Sequence, residues 1–302
     1  MNLRDWIPEW LNCYKNGTMK QSSYQQLLYL LKKIPDSLLD TDMDNVRPME
    51  VQLFVNEFAK TASKSYMDKM RVALHSLWIT GVENGICTRN PTRTVRFPVI
   101  AERKRQAFTA EQVRTILHFA QDYPNRQIGV AITVLLLTGI RRGELLGLKW
   151  TDISDHTISI RRSVYLEDGK PCVRENIVKT SRSLRIVPIP PELTYMIFQM
   201  PRKCEFVFCT QKQTLIDPPN FDRSYKRFFS ELRQTHPEVP FLSTHCCRHT
   251  FATLTLDAGG DICTVQELLG HGDIRTTSRY VHPHIPQLRK AVADMLDTVI
   301  FH

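Results

Sequence analysis

One apolar segment, residues 128–137, constrains the fold of this chain more than any other feature. Only Gly129 and Thr133 interrupt it, and its apolar side chains surround a helix on nearly every side. Such a helix is stable only when other elements cover it, so it belongs at the centre of a domain. It has about half of the ~20 residues needed to span a bilayer, which predicts a buried helix and not a membrane anchor.

Length and composition agree with a globular protein that has such a core. At about 150 residues per domain, 302 residues predict two domains. The chain is 42% hydrophobic and 24% charged, which argues against a disordered or fibrous protein. The N-terminus carries charges and a proline where a secretory signal has its apolar core, so we expect a cytosolic protein. The eight cysteines form no C-x-x-C pair, and we expect them to be reduced.

The first domain is predicted to be helical and to span residues 1–88. Apolar residues recur at helical spacing in three segments, Ser23–Lys33, Met49–Ala59 and Lys64–Asn84, and Gly85 is placed to end the last. A basic segment without helical periodicity follows at 89–106 and predicts an interdomain linker. The cations of this segment are expected to face phosphates, and the alternative is a solvated linker without a ligand. These cations are Arg89, Arg93, Arg96, Arg103, Lys104 and Arg105.

The second domain, 107–302, is predicted to be mixed. Thr109 and Gln112 form a capping-box pattern ahead of the first helix. Later in the chain, apolar residues recur at every second position, which predicts three strands in a meander. The strands are Thr157–Tyr165, Cys172–Val178 and Leu184–Ile189, with turns at Asp168-Gly169 and 179–183. Helices follow, including one after Thr244, one capped by Thr264 and a last stripe over 292–299. The fold class is therefore mainly α with a small antiparallel sheet (α+β).

Four short segments of this domain carry the candidate chemistry. They are residues 138–144, the strand turn at Lys179, His245 to His249, and Leu269 to His271, with Tyr280 nine residues later. Arginine and lysine without paired carboxylates suit a phosphodiester, because the guanidinium fork matches two phosphate oxygens. A tyrosine hydroxyl can attack phosphorus and conserve the bond energy in a covalent intermediate. A lysine on a hairpin turn can protonate a leaving oxygen.

Each of these segments also has an ordinary interpretation. The arginines and histidines could cap helices or form surface pairs, the lysine could be solvated, and Tyr280 could be a packing residue. Cys246 and Cys247 beside histidines suggest zinc, but adjacent cysteines do not easily face one ion and no second ligand pair is spaced for it. We therefore expect no metal and no cofactor.

Taken in order, the motifs resemble those of the tyrosine recombinase (phage integrase) family. The match consists of Thr-Gly-x-Arg-x-x-Glu-Leu at 138–145, His-x-x-Arg-His-Thr at 245–250, Leu-Gly-His at 269–271 and Tyr280. It covers nearly the whole catalytic half, and the helical first domain is similar to the family's core-DNA-binding domain. Cys247 departs from the leucine usual at that position.

The resemblance implies a role for each matching residue. Arg141 and Arg248 would clamp the scissile phosphate, and Tyr280 would form a 3′-phosphotyrosyl link. Lys179 would be the general acid for the 5′ oxygen. Two histidines and an acid would assist: His245 as the general base, His271 as a hydrogen-bond donor to phosphate, and Glu144 as the residue that orients Arg141 or His245.

The resemblance also implies partners. The family closes two domains around duplex DNA with inverted-repeat core sites and acts as a homotetramer, from a monomer or weak oligomer in the free state. We expect a cytoplasmic, nucleoid-associated enzyme without an arm-site-binding domain, as in integrases of mobile elements and two-domain dimer resolvases. Contacts to DNA bases are predicted from side chains of the longest N-terminal helix, namely Lys64, Lys69 and Arg71. The alternative is that these side chains form an ordinary solvated face. We expect the apolar stripe at 292–299 to form a helix that either packs on its own domain or docks onto a neighbouring protomer.

Two other functions remain open from the sequence. One is a DNA-binding regulator with a decayed active site, which cleavage of a nicked substrate would exclude. The other is a type IB topoisomerase, which would relax supercoils as a monomer on non-specific DNA.

Overall fold

The structure is a computed structural model, and it describes residues 1–101, 106–154, 156–175 and 185–270. The chain divides into two compact units, Met1–Lys104 and Arg105–His302. The predicted class, mainly helical with small antiparallel sheets, is confirmed. No helix within the described ranges is long and apolar enough to cross a membrane.

The first unit is a cluster of helices around a core that includes Trp10 and Trp78, both fully buried. The predicted helices are confirmed, with bounds shifted by one or two residues. Gly85 has φ +68°, the left-handed conformation that ends a helix and that glycine adopts without strain. The helices are α1 (Leu3–Trp10), α2 (Gln21–Leu31), α3 (Asp36–Leu39), α4 (Pro48–Ala59) and α5 (Lys64–Glu83).

Much of the segment predicted as a linker packs onto this first unit. Asn90 caps a short 3₁₀ turn, Pro91–Arg93. The Gln52 side chain then accepts a hydrogen bond from the backbone N–H of Arg96 and donates one to its carbonyl, both at 2.7 Å. The side chains of Val95, Phe97 and Ile100 contact the helical core. Part of the predicted interdomain linker therefore packs on the first unit.

The second unit is built around the apolar helix identified in the sequence. α6 (Ala110–Gln121) begins at the predicted capping box, in which the Thr109 hydroxyl accepts from the N–H of Gln112 and the Gln112 side chain accepts from the N–H of Thr109. α7 (Arg126–Thr138) is buried over nearly its whole length. Gly129 allows the two helices to approach closely, since a Cβ there would lie 2.2 Å from the carbonyl oxygen of Ala120.

The strands are confirmed, but their predicted pairing is wrong. Arg161 separates the first predicted strand into two, and the second half pairs with the strand that follows it. The last strand pairs with the first half instead, so the described residues of the three segments do not form the predicted meander. One sheet has the order β1-β2-β5 and the other is the hairpin β3-β4. The strands are β1 (Ile153–Ser154), β2 (Thr157–Ile160), β3 (Arg162–Glu167), β4 (Lys170–Glu175) and β5 (Arg185–Pro188).

The predicted turn at Asp168-Gly169 is confirmed, with φ of +48° and +76° at its two residues. Positive φ at both positions is the geometry of the two-residue turn that matches the twist of a hairpin. The second predicted turn, residues 179–183, lies outside the described residues.

The remaining helices surround the α7 core and carry two of the motifs. They are α8 (Arg142–Leu146), α9 (Pro191–Phe198), α10 (Pro218–Thr235), α11 (Thr244–Asp257) and α12 (Ile262–Leu269). The carboxylate of Asp261, and not the predicted Thr264, caps α12, because it accepts from the N–H groups of Cys263 and Thr264 at 2.8 and 2.9 Å. The stripe at 292–299 lies outside the described residues.

Candidate active site

Arg141 lies at a tight corner between two helices. α7 ends at Gly139, whose φ of +62° turns the chain, and Arg141 then occupies the N-cap of α8 in an extended conformation. The Glu144 carboxylate accepts from the backbone N–H and from Nη1 of Arg141, both at 2.8 Å. The Arg141 side chain is 47% exposed. The corner therefore fixes its backbone while its guanidinium stays accessible.

Arg248 is bonded to the same corner. It lies in the second turn of α11 and is 2% exposed. Its Nη1 donates to the carbonyl of Gly139 at 2.9 Å and its Nη2 to the carbonyl of Leu269 at 2.5 Å. These bonds join the start of α11 to the end of α7 and to the end of α12. Two predicted site residues that are 107 positions apart in sequence thus meet.

A cleft of about 470 Å³ opens beside these two arginines. His245 lies three residues before Arg248 on α11 and is exposed in this cleft. Arg142 forms an ion pair with Asp222 across it, which joins α8 to α10. Basic groups outnumber the single acid of the lining, so the cleft suits an anion. The lining consists of Ile140, Arg141, Arg142, Gly143, Asp222, Tyr225, Lys226, Phe241, Ser243, Thr244, His245 and Arg248.

Glu144 is the buried anion that supports this arrangement. Its side chain is 5% exposed. Burial alone would raise the pKa of its carboxyl, but hydrogen bonds and charge from Arg185, together with Arg141, lower the pKa to about 2. Glu144 is therefore ionised at every working pH. Of the two partners considered for it from the sequence, the structure gives a contact with Arg141.

Sequence reasoning missed Arg185, the second partner of Glu144. It opens β5, its side chain is 6% exposed, and its Nη1 and Nη2 donate to the two oxygens of Glu144 at 3.1 and 2.7 Å. The alternation of inward and outward side chains along β5 was the sequence signal that could have identified Arg185 as an inward residue. Val187 is buried and Ile186 is 64% exposed, so the alternation places Arg185 on the inward face.

Comparison with known proteins agrees with this geometry. A profile described as the phage integrase family matches residues 106–285, more than half of the chain. A second profile, the phage integrase N-terminal SAM-like domain, matches residues 2–59. The chain belongs to the phage integrase family.

Individual relatives carry the names of enzymes of that family. The integrase of ICEBs1 from Bacillus subtilis is 28% identical, with 93% of this chain and 79% of that protein aligned. A tyrosine recombinase XerC-like protein from Caldanaerobacter subterraneus is also 28% identical, over 84% of this chain and 72% of its own length. The chain is accordingly a site-specific DNA recombinase that acts through tyrosine chemistry.

Solved structures share the fold of the recombinase. The Tn1549 transposon integrase in complex with transposon right end DNA superposes with a TM-score of 0.81 at 20% identity, over 98% of this chain and 99% of that one. A lambda integrase (75–356) dimer bound to a core site gives a TM-score of 0.68 at 19% identity, over 93% of this chain and 95% of that one.

Several predicted site residues of the recombinase lie outside the described residues. These are Lys179, His271, Tyr280, Arg103, Lys104 and Arg105. The other basic residues predicted to contact DNA belong to the first unit, and their side chains are exposed: Lys64, Lys69, Arg71, Arg89, Arg93 and Arg96. Lys69 donates to the Gln26 side chain at 2.6 Å, and Arg71 lies 3.8 Å from Asp68.

The two adjacent cysteines beside the site face different surroundings. Cys247 is fully buried against the hydroxyl of Tyr225, 3.3 Å from its sulfur, and burial raises its thiol pKa to about 12. Cys246 lies 3.5 Å from the Ser243 hydroxyl. Within the described ranges, no three His, Cys, Asp or Glu side chains form a group that could hold a metal ion.

Proposed function

We propose that this recombinase cuts and rejoins DNA with Tyr280 as nucleophile and with Arg141 and Arg248 on the scissile phosphate. The observation that carries the proposal is the meeting of both arginines at the Gly139 corner beside one basic cleft. Arginines at a fixed corner can stabilise the negative charge that grows on phosphorus without reorganising during the reaction. They supply the charge stabilisation that a metal ion gives in other phosphoryl-transfer sites.

The proposed chemistry balances as a transesterification. The Tyr280 oxygen attacks phosphorus, its proton passes to His245, and a 3′-phosphotyrosyl bond forms as the bond to the 5′ oxygen breaks. Lys179 gives a proton to that leaving oxygen, and His271 donates a hydrogen bond to a phosphate oxygen. Religation is the reverse attack by a 5′ hydroxyl, so neither ATP nor an external nucleophile is consumed.

The proposed partner is duplex DNA with inverted-repeat core sites, bound by four copies of the chain. A lambda integrase with the same fold is described as a tetramer bound to a Holliday junction, and a relative is named as the integrase of ICEBs1. On that basis we place the recombinase with mobile elements and with the nucleoid. The basic residues at 64–71 and 89–105 would then contact the DNA, which makes binding steeply dependent on salt.

A covalent trapping assay tests the nucleophile and the metal-free mechanism together. Nicked duplexes from the DNA that flanks the gene are mixed with protein in EDTA and resolved on denaturing gels. We expect an adduct with the wild type and none with Tyr280→Phe. An adduct that survives Tyr280→Phe would identify another nucleophile. Binding without any adduct would favour a regulator, and relaxation of supercoils by a monomer would favour a topoisomerase.

A second comparison tests the cleft. Arg141→Lys keeps the charge but loses the fork, so we expect adduct formation to fall by about 10²-fold or more. Lys226→Gln, which also lines the cleft, is the matched control and should change the rate far less. Equal losses in the two variants would contradict a specific role for Arg141.

A further inference from the structure

One buried arginine near the cleft, Arg185, takes no part in the proposed chemistry. Arg185 uses three donors in three hydrogen bonds. Two reach the Glu144 carboxylate, and Nε donates to the carbonyl of Leu268 at 2.8 Å. Each bond ends on a segment that carries a motif, since Glu144 supports Arg141 and Leu268 lies at the end of α12 beside Leu269-Gly270.

These contacts close a ring that includes both candidate arginines. Arg185 donates to the carbonyl of Leu268, and Arg248 donates to that of the next residue, Leu269. Arg248 also bonds the carbonyl of Gly139, two residues before Arg141. From Arg141 the ring returns through Glu144 to Arg185. A change at Arg185 therefore affects both arginines through hydrogen bonds and not only through general packing.

The charges explain why a second arginine is needed. Glu144 is 5% exposed, and a buried carboxylate draws any available cation into a close pair. With Arg185 on both of its oxygens, Glu144 holds Arg141 by Nη1 and leaves that side chain 47% exposed. Without Arg185, Arg141 becomes the remaining guanidinium bonded to Glu144. A fork-to-fork pair with Glu144 would occupy the donors that a phosphate needs.

We infer that Arg185 is a positioning residue of the recombinase: it neutralises Glu144 and so keeps the Arg141 guanidinium free for the scissile phosphate. The inference rests on the proposed function, because it assumes that Arg141 binds that phosphate. It assigns Arg185 no contact with DNA.

The test uses the full chain and single-turnover adduct formation on the nicked duplex in EDTA, with protein varied to saturation. Arg185→Met should lower the saturating rate by about 10²-fold, as small misplacements of a reacting group do, and should change the half-saturating concentration by less than about threefold. Arg162→Met is the matched control, because Arg162 is as buried and pairs with a buried acid, Asp152, but not with Glu144. It should lose thermal stability with a rate within about threefold of the wild type.

The double variant separates positioning from simple stabilisation. If Glu144 captures Arg141 in Arg185→Met, then adding Glu144→Gln releases it. We expect the double variant to cleave about tenfold faster than Arg185→Met. Arg185→Met removes the group that does most to lower the pKa of Glu144, so Glu144 should become protonated at a higher pH in that variant. The rate deficit of Arg185→Met should therefore shrink as the pH falls, and the double variant should lack that dependence. A role in folding alone predicts that the second change is neutral or harmful.

Arg185→Lys keeps the inference testable if the methionine variant does not fold. Lysine retains the charge beside Glu144 without the fork, so its rate should lie between those of the wild type and the Arg141→Lys variant. A lysine variant no faster than Arg141→Lys, a double variant no faster than Arg185→Met, or an equal fall in Arg162→Met would overturn the inference. A wild type that forms no adduct dependent on Tyr280 would instead overturn the proposed function, and the inference would fall with it.

Discussion

A single buried carboxylate determines how the candidate site of this recombinase is arranged. Glu144 accepts from the backbone of Arg141, from its guanidinium and from both Nη atoms of Arg185. Four donors on one carboxylate stabilise its ionised form strongly, which is why its pKa is lowered to about 2 in spite of its burial.

This lowered pKa predicts an acid dependence of stability. The folded pKa of Glu144 is below the unfolded value of 4.5, so its contribution is complete above pH 4.5 and is lost as the pH falls towards 2. At about 1.4 kcal/mol per unit, that contribution is about 3 kcal/mol. In Glu144→Gln the loss between pH 5 and pH 3 should be smaller than in the wild type, as measured by urea unfolding. Glu57→Gln, in the exposed pair with Lys60, is the control and should leave the acid loss nearly unchanged.

The hydroxyl of Tyr225 gives a second prediction for a single residue. It donates to the carbonyl of Leu242 at 3.0 Å, just before the start of α11, and the ring is buried. Tyr225→Phe leaves that carbonyl without its donor, so we expect a loss of about 1–3 kcal/mol in the free energy of unfolding. Tyr195→Phe, at a ring that is 66% exposed, should change it by less than about 0.5 kcal/mol. Similar losses in both variants would show that the bond to Leu242 contributes little.

What the sequence predicted of the site depended on local spacing. Arg141 and Glu144 are three residues apart, as are His245 and Arg248, so short-range geometry was enough to associate them. Arg185 is 41 residues from Glu144, and no local pattern shows which buried acid an inward arginine will meet. Such a partner is determined by how the sheet packs on α8, which depends on contacts between distant segments.

At the scale of elements, helices were predicted better than strand pairing. The apolar segment of α7 and the capping box of α6 depend on neighbours in sequence, and both helices are present. The partner of β5 is β2, with Ile158 opposite Val187, across a separation that no turn signal describes. Pairing of that kind is selected by tertiary packing, because several partners satisfy the same alternation.

The contact between α8 and β3 gives a prediction at this scale. A Cβ on Gly143 would lie 2.5 Å from the Ser163 hydroxyl oxygen and 2.6 Å from the carbonyl oxygen of Val164. Gly143→Ala should therefore push α8 away from β3, lower the free energy of unfolding by about 1–3 kcal/mol and slow adduct formation. Gly147→Ala, at the other end of α8, has its closest contact at 3.1 Å and should cost less. The reverse order of the two losses would contradict this account of the packing.

At the scale of the whole molecule, each of the two units has its own hydrophobic core. The interdomain linker was predicted from residue 89 on its basic composition, and the first compact unit extends to Lys104. The apolar side chains of Val95, Phe97 and Ile100 lie between those basic residues and pack on the first core. Composition averages over such a segment and so conceals the few apolar residues that are partly buried.

Fragments of the first unit test this boundary. A fragment of residues 1–104 retains the Gln52–Arg96 hydrogen bonds and the apolar contacts of the segment, so it should unfold cooperatively on heating. A fragment of residues 1–88 lacks them and should melt at least about 5 °C lower, measured by circular dichroism. Equal midpoints would show that residues 89–104 contribute no stability to this unit.

The hydrogen bond from Arg248 to the carbonyl of Gly139 also depends on the order in which the chain is synthesised. It joins residues 109 positions apart, and the other bond of Arg248 reaches Leu269, which is synthesised later still. At about 5–20 residues per second, the Gly139 corner leaves the ribosome about 5–20 s before Arg248 can reach it. A nascent chain that already displays Arg141 therefore lacks the second arginine of the proposed site. Under the proposed chemistry, cleavage has to wait for the C-terminal part of the chain, which supplies both Arg248 and Tyr280.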